Sequence, residues 1–146
     1  MPPSVALTFT SERFDYESNL PEDYNAGKRF YGKDVAEYLA ERLSESGLQS
    51  DYMDEDWGWL VFSARGATPE FEVAIYNLTE YEDPSQRGTN TWGLWIREYT
   101  HTKLFGLLPK RVEVPVTGAV RAAITQAFAL AGASLAPWDD GPSGDD

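Results

Sequence analysis

Trp57-Gly58-Trp59-Leu60-Val61-Phe62-Ser63-Ala64, then Arg65-Gly66-Ala67-Thr68-Pro69, then Phe71, Val73 and Ile75 at alternate positions: this stretch decides the fold. Alternation puts Trp59 and Val61 on one face and Leu60 and Phe62 on the other, the period of a strand rather than a helix. The Gly- and Pro-containing segment between the two runs reads as a turn, so the pair is expected to form an antiparallel hairpin. Downstream, Trp92, Leu94 and Ile96 repeat the alternation, with Trp95, Arg97 and Tyr99 facing the other way. Upstream, Val5, Leu7 and Phe9 do the same within residues 4–10. Val112-Glu113-Val114 reads as a further short strand or an extended lead-in.

Helical spacing appears twice. In Lys33–Ser46, Val35, Leu39 and Leu43 recur every four residues, Ala36 and Ala40 widen the stripe, and Gly47 stands where a C-terminal glycine belongs. In Val116–Ala131 the stripe is Val120, Ile124, Ala127 or Phe128, and Ala131, with Pro115 before it and Gly132 after it. Residues 11–31 read as a loop or short strand pinned by aromatic side chains. The expected architecture is a single α+β domain over residues 1–136, in the order β-α-β-β-β-α. Two helices pack on one face of an antiparallel sheet of four to five strands. The Asp-, Gly- and Pro-rich residues 137–146 read as a disordered acidic C-terminal tail.

Composition narrows the chemistry. The 146 residues include 24 Asp and Glu, 12 Lys and Arg, one His and no Cys, for a net charge of −12. Thiol catalysis, structural disulfides and cysteine metal sites are excluded, as is a multi-histidine centre within one chain. The charge opposes direct nucleic-acid binding, which draws its affinity from Lys and Arg. With no secretory leader pattern and no apolar run long enough to span a bilayer, a cytoplasmic protein without membrane contact is expected.

The charge is unevenly placed. Residues 1–80 carry 16 acidic and 6 basic groups, residues 81–146 only 8 and 6. Asp34, Glu37, Glu41 and Glu45 follow a 3-4-4 spacing and so share one helix face, where Glu41 and Glu45 repel each other. That face is either a solvated surface or a recognition surface. Asp51, Asp54, Glu55 and Asp56 crowd a loop before Trp57. Four carboxylates could share a hard cation, but the spacing lacks the calcium-loop pattern, so no metal and no cofactor are expected. Asp54, Glu55 and Asp56 beside Trp57 instead suit electrostatic steering and aromatic anchoring of a basic protein.

Opposite in sign is Lys103-Leu104-Phe105-Gly106-Leu107-Leu108-Pro109-Lys110-Arg111, an apolar loop with a basic rim. Leu104, Phe105, Leu107 and Leu108 are either buried or, with Lys110 and Arg111, a second contact. Such a dipolar chain could pack head to tail as a salt-sensitive homo-oligomer. His101, just past the third strand, lacks a nucleophile motif and reads as a turn residue.

Glu55-Asp56-Trp57-Gly58-Trp59, opening a strand after an amphipathic helix, resembles small acidic bacterial α+β proteins, toxin-neutralising immunity proteins among them. The resemblance covers five residues and an order of elements, and assigns no family. The leading expectation is a non-catalytic protein-binding domain, in its sharpest form an inhibitor or immunity-type protein that neutralises a basic partner. The alternatives are a hydrolase using Asp54, Glu55 or Asp56 with His101, and an acidic nucleic-acid mimic.

Overall fold

The computed structural model describes residues 4–11, 33–55, 58–64, 67, 69–78, 91–104, 108–139 and 141. Alternating strand sequences and two amphipathic stripes assemble as β1 (Val5–Thr10), α1 (Lys33–Glu45), β2 (Ser50–Glu55), β3 (Gly58–Ser63) and β4 (Glu70–Asn77). They are followed by β5 (Thr91–Leu104), β6 (Leu108–Val114), α2 (Gly118–Leu130) and β7 (Ala136–Pro137). The class is α+β, as expected, but the antiparallel sheet has seven strands rather than four or five. Its order is β2-β3-β4-β5-β1-β7, and β6 pairs with the far half of β5.

β5 organises the sheet because of its 14-residue length. On one side it pairs with β4 from Trp92 to Tyr99. On the other its first half takes β1, Thr91 to Ile96, and its second half takes β6, Glu98 to Leu104. His101, read as a turn residue, is therefore part of β5, and of the segment after it residues 103–104 and 108–111 are paired strand. The boundary drawn at residue 137 falls within β7, whose pairing with β1 carries Trp138 onto the sheet, its ring edge-on to Tyr76 at 5.6 Å.

One sheet face is the core. Leu7, Phe9, Trp59, Val61, Phe71, Val73, Ile75, Trp92, Leu94 and Ile96 alternate into it and are buried. α1 closes it with Val35, Ala36, Leu39, Ala40 and Leu43, and α2 with Val120, Ile124, Ala127 and Phe128. Each large side chain so buried contributes about 1.5–3 kcal/mol. The helices are tied to each other where the Tyr38 hydroxyl donates to the Ala127 carbonyl at 2.6 Å. Phe128 meets Phe9 with ring centroids 4.5 Å apart.

α1 ends as its glycine implies. Gly47 takes φ +93° and the Leu48 N–H returns to the Leu43 carbonyl at 2.9 Å. α2 begins two residues later than expected, at Gly118, because Thr117 caps it by accepting the Val120 N–H at 3.4 Å. Glu98, 5% exposed, fastens that cap to β5: Thr117 donates its N–H (3.0 Å) and its hydroxyl (2.9 Å) to Oε1 of Glu98.

Candidate functional site: an acidic edge and a charged sheet face

Asp34, Glu37, Glu41 and Glu45 lie on α1, and β2 runs beside them as the edge strand of the sheet. The cluster read as a loop is thus a strand: Asp51, Asp54 and Glu55 belong to β2, whereas Asp56 and Trp57 lie outside the described residues. Together α1 and β2 carry seven carboxylates against two cations, Lys33 and Arg42. Between them runs a groove of about 450 Å³, lined by Glu37, Glu41, Glu45, Ser44, Asp51 and Tyr52 among others.

The groove is built by side chains that also disarm the strand edge. Ser44 Oγ accepts the Ser50 N–H at 3.1 Å and donates to the Ser50 carbonyl at 3.3 Å. Asp51 Oδ1 accepts the Tyr52 N–H at 2.8 Å. Two outward backbone positions are thereby occupied and the rest are flanked by charge, which discourages strand addition. The repulsion between Glu41 and Glu45 is relieved by Arg42, which lies 2.8 Å from Glu45 Oε1 and 3.8 Å from Glu41 Oε2. All three partners are substantially exposed, so the pairs are worth little in stability.

Glu37 is held differently. It accepts the Tyr52 hydroxyl at 2.9 Å and Lys33 at 3.3 Å. The Tyr52 hydrogen bond, then that of Lys33, favours the carboxylate and lowers its pKa below the usual 4.5. Burial, then Glu37, raises the Tyr52 pKa. Because the Glu37 pKa is depressed in the fold, its contribution is present above the unfolded value and lost as pH falls through the folded one. Unfolding midpoints measured from pH 6 down to 3 should therefore fall less for Glu37→Gln than for the wild type.

Away from the helices, the second sheet face carries a charged network that the sequence reading only half found. Arg97, Tyr99 and Trp95 do share that face, and the register adds Glu70, Glu72, His101 and Arg111 to it. Glu72 Oε1 accepts the Tyr99 hydroxyl at 2.7 Å and pairs with Arg97, while Oε2 lies 3.4 Å from Arg111. Glu70 lies 3.1 Å from Arg111 Nε and 3.0 Å from His101 Nε2. The guanidinium carbons of Arg111 and Arg97 stand 3.4 Å and 4.1 Å from the ring centroids of Tyr99 and Trp95, so cations cover the aromatic faces a base or sugar would stack on.

Burial, with the Glu72 hydrogen bond and charge next, pushes the Tyr99 pKa up to about 12. A raised pKa contributes stability that is present below the unfolded value of 10 and lost as pH rises through the folded one. In an ultraviolet titration, Tyr99 should ionise near pH 12, and Tyr99→Phe should flatten the loss of stability between pH 10 and 12.

No family model, curated protein or solved structure matches the chain.

His101 stands far from Asp54, one of the carboxylates expected beside it, and Asp56 lies outside the described residues. Asp54 shares a cross-strand row with Trp59, Ile75 and Leu94. His101 lies seven residues beyond Leu94, roughly 23 Å along the strand and three strands over. Of the apolar-basic segment, Leu104, Leu108 and Lys110 have strand backbone, but their side chains, like all of Phe105 and Leu107, lie outside the described residues. Arg111 belongs to the network on the second sheet face, where Glu70 holds its Nε and Glu72 its Nη2. Among the described residues no group of three or more metal-ligating side chains forms, and no helix is long and apolar enough to cross a membrane.

Proposed function

We propose that this chain is a non-catalytic binding domain that engages a basic surface of another protein through α1 and β2. One observation carries the reading: the groove between these elements is lined by Glu37, Glu41 and Glu45 of α1 and by Asp51 and Tyr52 of the edge strand. Carboxylates carried on a helix and on the edge strand beside it present a more fixed field than a flexible acidic tail would. A basic partner is drawn by the net charge and then seated by these side chains. Inhibition of a basic toxin or nuclease is the sharpest form of this reading.

The quadruple variant Glu37→Gln, Glu41→Gln, Glu45→Gln, Asp51→Asn keeps the shape of the groove and removes its charge. Immobilised wild-type chain should capture a basic protein from a lysate of its native source at low salt and release it at high salt. The variant should capture it at least ~10-fold less. Equal capture by both, or capture of no basic protein, contradicts the reading.

A further inference from the structure

A second concavity lies on the sheet face that carries the charged network, away from the α1–β2 groove. Its volume is about 620 Å³, within the range that small-molecule sites occupy. Met53, Leu60 and Phe62 form an apolar floor; Met53 is 46% exposed on the edge strand, and Leu60 and Phe62 are half-buried. Glu70, Glu72, His101 and Arg111 form its polar wall.

The wall is not electrostatically uniform in depth. The Glu70 and Glu72 side chains are only 14% and 13% exposed, and both already serve cations or donors. Arg111 and His101, cross-strand partners in the β5–β6 register, are 46% and 48% exposed. Arg111 spends Nε on Glu70 and one terminal nitrogen, Nη2, on Glu72, and it lies flat on Tyr99. Its other terminal nitrogen, Nη1, has no partner among the described residues. A guanidinium fixed on three sides with donors left over is a preorganised anion receptor.

We propose that this concavity binds a small amphipathic carboxylate, its apolar body on Met53, Leu60 and Phe62 and its carboxylate on Arg111 beside His101. Within the concavity Glu70 and Glu72 oppose an anion, but Arg111 and Arg97 pair with them; the chain's remaining negative charge acts at longer range, where physiological salt screens fields beyond about 8 Å.

Calorimetric titration of the full chain with decanoate, decanol and decylammonium separates the contributions, and phenylbutyrate distinguishes an aromatic source of the carboxylate from an alkyl one. Decanoate or phenylbutyrate should bind with a dissociation constant below about 1 mM, and decanol about 10-fold more weakly. Decylammonium should bind no better than decanol. Arg111→Met should weaken the carboxylate about 10-fold. Met53→Asp, at an exposed position where the fold tolerates charge, should do the same. Decanol or decylammonium binding as tightly as decanoate would overturn the proposal. So would no detectable carboxylate binding, or wild-type affinity in a folded Met53→Asp variant.

Discussion

Gly58→Ala is expected to destabilise the protein by about 3 kcal/mol and lower its thermal midpoint by roughly 10 °C. Gly58 opens β3 at a buried position facing β4. A Cβ placed there falls well inside van der Waals contact with the Ile75 carbonyl oxygen, and the carbonyl carbon follows at 3.5 Å. Those atoms are backbone in the middle of a paired strand, so relief requires shifting β3 against β4. Trp59, 2% exposed beside Gly58, and Ile75, 1% exposed, would move with it. The comparison is Gly118→Ala at the start of α2, where an added Cβ meets nothing within 4 Å. That change should leave stability level or raise it by a few tenths of a kcal/mol. Guanidinium unfolding of the two variants checks the pair. Equal midpoints would mean that β3 does not sit against Ile75 as described.

Glu98→Ala carries the second large effect, about 2–4 kcal/mol. The carboxylate accepts both the N–H and the hydroxyl of Thr117, and the same hydroxyl accepts from Val120 to start α2. Removing it leaves two donors without an acceptor and cuts both hydrogen bonds that fasten the α2 cap to β5. Glu98→Gln retains a carbonyl oxygen in place, so its loss should be about half as large. Hydrogen exchange supplies the diagnostic readout. In Glu98→Ala the amides of the first α2 turn should lose protection ahead of α1; uniform loss across both helices would argue that Glu98 acts only through global packing.

Much of the fold was legible because its buried half speaks in period. Val35, Leu39 and Leu43 announce α1, and the alternations around Leu7, Val61, Val73 and Leu94 announce four strands, each facing the core. What escaped lies beyond that core. β2 reads Ser-Asp-Tyr-Met-Asp-Glu, an edge strand whose only half-buried apolar member is Tyr52, so no alternation marks it. The far half of β5, Thr-His-Thr-Lys-Leu, extends past β4 and has only β6 to pair with. Its β-branched threonines suit a strand, but its sequence carries no apolar alternation to announce one.

The acidic ridge was legible from spacing alone, since a helix converts 3-4-4 into one face. The charged network was not, because Glu70 and Glu72 interleave with Phe71 and Val73, and the core residues take the eye. The available signal was the same alternation read for its polar phase: if Phe71 and Val73 face the helices, Glu70 and Glu72 must face Arg97 and Tyr99. Only register could add Arg111, 39 residues from Glu72 in the chain. Arg42 likewise reconciles Glu41 with Glu45, a compensation that lies one and three residues away rather than four.

Electrostatic capture by the α1–β2 face is tested most directly by the association rate with the captured basic protein. Measured by stopped flow across increasing salt, the wild-type rate should fall about 10-fold or more, while the Glu37, Glu41, Glu45 and Asp51 quadruple variant should start slow and respond weakly. A rate indifferent to salt, or a variant that tracks the wild type at every ionic strength, would contradict the assignment of that face.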